Sequence, residues 1–492
     1  MLNAERGMQK SLLTLFALLL FIAPSVAGQE SIPEPGPARP INIPAVQEQK
    51  LKNGLTVAVI EKKGVPIVTA QLLVRSGASS EPSKKAGLAD LTGSLLTKGT
   101  KTRSAEEIAQ EMEFLGGSIN SGAGWNSSNV TVTVTSDKLD QAMAIMSDVV
   151  LNPSFSKDEL ELLKSQTVDQ LKYNLTQPGF LATYVASRYS FSEHPAGGTP
   201  ASLDAIDRGD VEDFYLQRFR PGDSVLIVTG DMTMARAEAL AEKYFGKWSI
   251  KNPTDIAGLE QQAHKPSTDI VSRILVVDLP NSGQASVNYY RPVVDLSRNT
   301  NDYYTAAVLN SLLGGGYSSR LNQEIRIKRG LSYGAGSSFV WRSTRTNFGT
   351  RTQTKTESAA EVAELVVAEL KRLAETDAVE TELKPRRLVL TGSFGRNLET
   401  TVGLTAALAE LYTFAIPTTE LNKYMTSVTA VSPATVKSFA SKYLYGGDVV
   451  IVGDYSKFKD DLAKRFPKMK IDVVKVDELD IESPTLRKSD IP

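Results

Sequence analysis

Cysteine is absent from all 492 residues. The chain therefore forms no disulfide, offers no thiolate nucleophile, and can neither build a cysteine-based zinc site nor carry a lipid on an N-terminal cysteine. Histidine is nearly absent too: His194 and His264 are the only two. A zinc enzyme usually recruits at least two imidazoles, commonly at i and i+4 on one helix. This chain alone cannot supply that pair. A surplus of either charge is also missing, since 55 lysines and arginines nearly cancel 56 aspartates and glutamates. That balance excludes the basic excess with which a nucleic-acid binder neutralises phosphates. Beyond the N-terminal segment no stretch is long and apolar enough to span a membrane, so a soluble mature chain is expected. What is present is ordinary: 41% hydrophobic and 23% charged residues suit a globular protein with a sizeable core and exclude disorder throughout. The length suggests about three domains, or two larger ones.

The first residues read as an address. Arg6 and Lys10 form a basic region, Leu12 to Ala23 is apolar, and Pro24-Ser25-Val26-Ala27 supplies small residues for cleavage after Ala27. Residues 1–27 are thus expected to be a signal peptide and the protein to be periplasmic, with secretion as the alternative. Residues 28–44 follow as a proline-rich, extended arm.

Two similar halves are expected after the arm. Residues 45–250 carry a turn and strand over Leu51–Ile60 and strands at Ile67–Val74 and Ser128–Ser136, the last alternating valine with threonine or asparagine. Ser104 and Glu107 form a capping box, behind which Ile108, Met112 and Leu115 share one helical face. Residues 251–270, with Pro253 and Pro266, read as a linker to a second half at 271–470. Residues 471–492 read as a tail, with Val473, Val474 and Val476 suggesting one more short strand. Val211-x-x-Phe214 with Gly222-Asp223 recurs as Val436-x-x-Phe439 with Gly447-Asp448 at an offset of 225. Glu159-Leu160 recurs as Glu382-Leu383, each expected just after a long helix. A repeat this long is no solenoid. It implies an α+β fold of two homologous α/β-sandwich domains joined by a linker.

The block Gly87-Leu-Ala-Asp-Leu-Thr-Gly-Ser-Leu-Leu-Thr-Lys-Gly-Thr100 resembles the zinc-site helix of the pitrilysin/insulinase metallopeptidase family, which reads G-x-A-H-F-L-E-H-x-x-F-K-G-T in active members. Arg75-Ser-Gly-Ala-Ser79, Gly116-Gly117-Ser-Ile-Asn120, His194-Pro195 and Phe214-x4-Phe219-x-Pro221 are similar to further landmarks of that family, and the likeness covers about residues 45 to 460. The resemblance implies a duplicated metallopeptidase-like half. In this register Asp90 and Ser94 replace the two zinc histidines and Gly93 replaces the general-base glutamate. Both imidazoles and the base that zinc hydrolysis needs are gone. Leu163 falls close to the third ligand's place, with Glu159 and Glu161 nearby. A substitute metal site of Asp90 with Glu159 or Glu161 is one reading of these carboxylates, and a solvated groove is the other.

The second half keeps a different landmark. Leu312-Leu-Gly-Gly-Gly-Tyr-Ser-Ser-Arg-Leu321, then Glu324-Ile-Arg-Ile-Lys-Arg-Gly-Leu-Ser-Tyr333, is similar to the family's G-G-G-F-S-S-R-L followed by L-R-x-K-x-G-L-x-Y. The resemblance implies that Arg326 holds a substrate carbonyl and that the Tyr333 hydroxyl donates to a developing oxyanion. It further implies that this chain binds no cofactor and is the non-catalytic subunit of a heterodimeric zinc peptidase. Its partner, of similar size, would carry the zinc motif, and peptide would be the substrate. An inert scaffold or peptide-binding protein of the same fold is the alternative. An independent enzyme finds no nucleophile elbow or cofactor fingerprint to support it. Gly314-Gly-Gly316 lacks the lysine of a phosphate loop and reads as a turn. His194 reads as structural, and the Val130, Val132, Val134 strand as core or as a sheet edge that pairs a peptide.

Overall fold

The computed structural model describes residues 43–249, 269–483 and 485–488. The expected signal peptide, nearly all of the arm, residue 250, and residues 251–268 of the linker with His264 lie outside the described residues.

The first half contributes β1 (Gln47–Lys50), β2 (Thr56–Glu61), β3 (Ile67–Val74), β4 (Ser118–Ala123), β5 (Ser128–Thr135) and β6 (Ser224–Gly230). They hydrogen-bond in the order β1-β2-β6-β3-β5-β4. The second half contributes β7 (Val271–Asp278), β8 (Gln284–Val294), β9 (Ala335–Trp341), β10 (Arg345–Lys355), β11 (Gly447–Gly453) and β12 (Ile471–Lys475), in the order β12-β7-β11-β8-β10-β9. The two sheets match strand for strand: β2–β6 and β7–β11 are parallel pairs, and the pairs that continue each sheet beyond β6 and β11 are antiparallel. Only the outermost strand differs in origin. β1 precedes its sheet and runs antiparallel to β2, whereas β12 follows its sheet and runs parallel to β7. The fold is α+β, with two homologous halves.

Local chemistry sets the elements. In β5 the pleat buries Val130, Val132 and Val134 and leaves the intervening polar residues half-exposed. Helix Ala105–Phe114 opens on the capping box, with Glu107 N–H donating to Ser104 Oγ at 3.2 Å and Ser104 N–H to Glu107 Oε2 at 2.8 Å. Its Ile108 and Met112 are buried. Glu159-Leu160 and Glu382-Leu383, expected after long helices, instead sit in the first turns of helices Lys157–Leu175 and Glu380–Leu398. Each helix carries acidic residues at its N-terminus, where the backbone dipole favours them. The repeat is thereby in register over both helices.

Each long helix leads into a shorter one that crosses to the other half. Pro178–Tyr189 packs on β8 and β11. Its Leu181, Ala182, Val185 and Ala186 join the core that contains Leu275, Val277, Tyr290, Val450 and Val452. Thr401–Thr413 lies reciprocally on β3 and β6. There Thr401 Oγ1 meets Thr69 Oγ1 at 2.9 Å and Thr405 Oγ1 meets Thr229 Oγ1 at 2.7 Å.

The structure bears on two sequence expectations. β5 is not a sheet edge, because β3 and β4 flank it; the edge is β4, whose serines, asparagine and glycine carry no apolar alternation. The short strand expected around Val473 and Val474 is β12, and beyond it Ile481 and Leu486 of the tail return to the core of the first half. No helix among the described residues is long and apolar enough to cross a membrane.

Candidate functional site

The degenerate motif lies on helix Leu88–Leu95. Glu81, buried beneath its start, accepts the Gly87 N–H at 2.9 Å and the Ala89 N–H at 2.6 Å, satisfying first-turn donors. His194 Nε2 lies 3.0 Å from Glu81 Oε1 and 3.2 Å from the Ala78 carbonyl. Both partners are acceptors, so Nε2 carries the proton and His194 braces this helix. Its ring rests 5.0 Å from that of Trp125. Asp90 is half-buried on the same helix, and desolvation, with Glu81 nearby, pushes its carboxyl above the ordinary range.

Gly93 is packed backbone to backbone. A Cβ there would lie 2.6 Å from the Gly122 carbonyl carbon and 2.9 Å from the Ala123 nitrogen of β4. No glutamate can stand at this position without displacing the strand. Glu161 pairs with Lys164 at 3.5 Å, and Leu163 packs against the core. Among the described residues no three His, Asp or Glu side chains gather as a metal site. The residues of the zinc motif do not fit zinc.

A second locus is built by the loop after helix Tyr303–Leu313. A Cβ on Gly314 would lie 2.3 Å from the Ser337 nitrogen, so glycine lets this loop settle on β9. Arg320 anchors it from below through Glu382 at 2.8 Å. Asn322 stitches it to the start of β9, its Nδ2 donating to the Gly316 and Ala335 carbonyls and its Oδ1 accepting from Ala335 N–H. The widened helical turn Asn322–Ile327, whose Lys328 N–H reaches back to Gln323, then directs Arg326 toward open space. The Arg326 guanidinium sits 4.7 Å from the centre of the Tyr317 ring and has no carboxylate partner among the described residues. Tyr333 is 93% exposed. Arg326, Tyr333 and Tyr317 wall one cavity of about 1180 Å³ with β10 and with Phe180 and Thr183 of the crossing helix. Asp90, Gly93 and Ser94 are not among its lining residues. The structure thus brings Arg326 and Tyr333 together and leaves the degenerate zinc positions elsewhere.

A model of the insulinase family (peptidase family M16) matches residues 56–183, and a model described as the peptidase M16 inactive domain matches residues 205–385. The chain belongs to peptidase family M16. Among M16 relatives, an uncharacterized zinc protease of Mycobacterium tuberculosis is 28% identical over 309 residues, covering 61% of this chain and 68% of that protein. A protein of Helicobacter pylori named a non-peptidase homolog is 25% identical over 372 residues, covering 71% and 80%. The crystal structure of a peptidase M16 inactive domain from Pseudomonas fluorescens superposes with a TM-score of 0.76 at 25% identity, over 83% of this chain and 98% of that one. The loss of the zinc motif agrees with the relative named a non-peptidase homolog and sets the chain apart from the one named a zinc protease.

Two features of this M16 chain escaped sequence reasoning. Arg351, Gln353 and Lys355 alternate along the exposed face of β10 and line the cavity. The Arg-Thr-Gln-Thr-Lys alternation was the available signal. The other feature is Glu193, which accepts from Arg342 at 2.9 Å, Arg345 at 2.7 Å and Asn347 at 3.1 Å, tying the halves together. Burial opposes its carboxylate, but the two guanidiniums outweigh burial and hold its pKa below the ordinary range.

Proposed function

We propose that this chain is the zinc-less subunit of an exported two-chain M16 peptidase and lends Arg326 and Tyr333 to a partner that carries the zinc motif. The observation that carries the reading is the pairing of these two side chains in one open cavity, Arg326 without a carboxylate and Tyr333 exposed. In the complex the Arg326 guanidinium holds a substrate carbonyl, and the Tyr333 hydroxyl donates a hydrogen bond where negative charge develops. The partner's zinc supplies the activated water. Residues 1–27 direct the chain to the periplasm.

The test is co-purification of the tagged mature chain from its own periplasm, followed by peptide cleavage by the recovered pair. A partner of similar size with His-x-x-Glu-His and chelator-sensitive cleavage are expected. Tyr333→Phe should lower kcat by about 10²-fold, the usual cost of removing one donor to an oxyanion, and Arg326→Ala should lower turnover as well. Unchanged turnover in both variants, or recovery of the chain alone, would leave an inert scaffold as the reading.

A further inference from the structure

Every titratable side chain of the cavity other than its tyrosines is a cation. Arg326, Arg351 and Lys355 line it, and no aspartate or glutamate does. Among the described residues none of the three forms a salt bridge, whereas their neighbour Glu324 is already engaged by Lys328 and Arg329. A concave wall of one sign focuses potential on whatever enters it.

The geometry of β10 narrows the ligand further. Arg351 and Lys355 lie on one face of the strand with Gln353 between them, while Thr352 and Thr354 are buried on the other. At about 3.4 Å per residue the two cations are roughly 13 Å apart along the strand. An extended peptide presents its side chains at that same repeat, so residues i and i+4 match both. β10 is already hydrogen-bonded on both sides, to β8 and β9. A ligand that meets β10 therefore lies along its face and is read by side chains rather than being added to it as a strand.

We infer that the cavity selects an extended peptide with acidic side chains four residues apart, one opposite Arg351 and one opposite Lys355. The inference rests on the reading of the cavity as a peptide groove. It does not require the partner's zinc.

The test uses the isolated mature chain and a threonine-rich nonapeptide with glutamate at positions 3 and 7, bearing an uncharged dye and followed by fluorescence anisotropy. The comparison peptides carry glutamine or lysine at those positions. The glutamate peptide is expected to bind at least tenfold tighter than the glutamine peptide at low salt, and the lysine peptide more weakly still. The preference should shrink at 0.15 M salt, where charges are screened beyond about 8 Å. Arg351→Gln with Lys355→Gln should abolish the preference, and R351E/K355E should reverse it; both positions are exposed, so the fold is retained. Equal binding of all three peptides, no binding of any, or an unaltered preference in the double variants would overturn the inference. So would an inorganic polyphosphate that binds tighter than the glutamate peptide at equal charge. Charge-selective binding without turnover in a complex would refute the subunit role and leave this inference standing. Turnover without charge selectivity would do the reverse.

Discussion

Replacing Gly93 by alanine tests whether the zinc motif of this chain is beyond repair. In a free helix interior the change from glycine to alanine stabilises by about 0.5–1 kcal/mol, because the unfolded chain loses freedom. At Gly93 the new methyl group would stand 2.6 Å and 2.9 Å from backbone atoms of β4. Carbon atoms at rest sit about 3.5–4.0 Å apart, so helix and strand must separate by roughly 1 Å. Such overpacking costs typically about 1–3 kcal/mol, and two backbones yield less readily than a side chain. The net expectation is a loss of about 2 kcal/mol. Gly392, inside helix Glu380–Leu398, is the control: a Cβ there meets only the tip of Arg396, at 3.4 Å. Gly392→Ala should raise stability by about 0.5–1 kcal/mol. Urea unfolding followed by tryptophan fluorescence and circular dichroism reads both. A Gly93→Ala variant that unfolds at the same urea concentration as the parent, or higher, would refute the packing argument. The triple change D90H/G93E/S94H, by the same reasoning, should bind no zinc in equilibrium dialysis.

Two further outcomes concern carboxylates whose titration the fold shifts. Glu193→Gln should destabilise the chain by about 3 kcal/mol at pH 7, since it leaves Arg342 and Arg345 without their anion. The folded pKa of Glu193 is depressed, so its contribution is complete above the unfolded value near 4.3 and is lost as pH falls through the lower folded value. The gap between parent and variant should therefore close in strong acid, and a gap independent of pH would refute the assignment. Asp90 has the opposite sign. Its folded pKa is raised, so the folded state holds the proton more tightly and stability is lost as pH rises through that value. Asp90→Asn should be more stable than the parent at pH 7 and equal to it near pH 3 in thermal melts; a less stable variant at pH 7 would show that the carboxylate has a partner.

Elements whose chemistry is local were legible in the sequence. The capping box at Ser104 and Glu107 and the valine alternation of β5 appear where expected, because a helix start and a half-buried strand are set by residues within a few positions. The duplication was legible because Val211-x-x-Phe214 and Val436-x-x-Phe439 occupy matching helices beside matching strands. The loop around Arg326 and Tyr333 was legible through its motif. What the residues could not reveal was which surface covers which. The apolar face of Pro178–Tyr189 announces a buried helix without naming the sheet that buries it, and that sheet belongs to the other half. The cavity inherits this opacity, because Phe180 and Thr183 of the first half complete a wall begun by β10 of the second. β4 escaped notice for a different reason: Ser118 to Ala123 has too few apolar residues to register as a strand.

The crossing of the two helices also orders events as the chain is made. The outward face of β3 and β6 must wait for residues 401–413, which begin to leave the ribosome about 170 positions after β6 is complete. An apolar face left bare for that long invites aggregation. Part of this one is threonine, Thr69 and Thr229, whose polar hydroxyls suit water and, in the folded chain, meet those of Thr401 and Thr405. The sheet that is made first therefore carries a surface suited to both solvents, the one it meets during synthesis and the one it keeps afterwards.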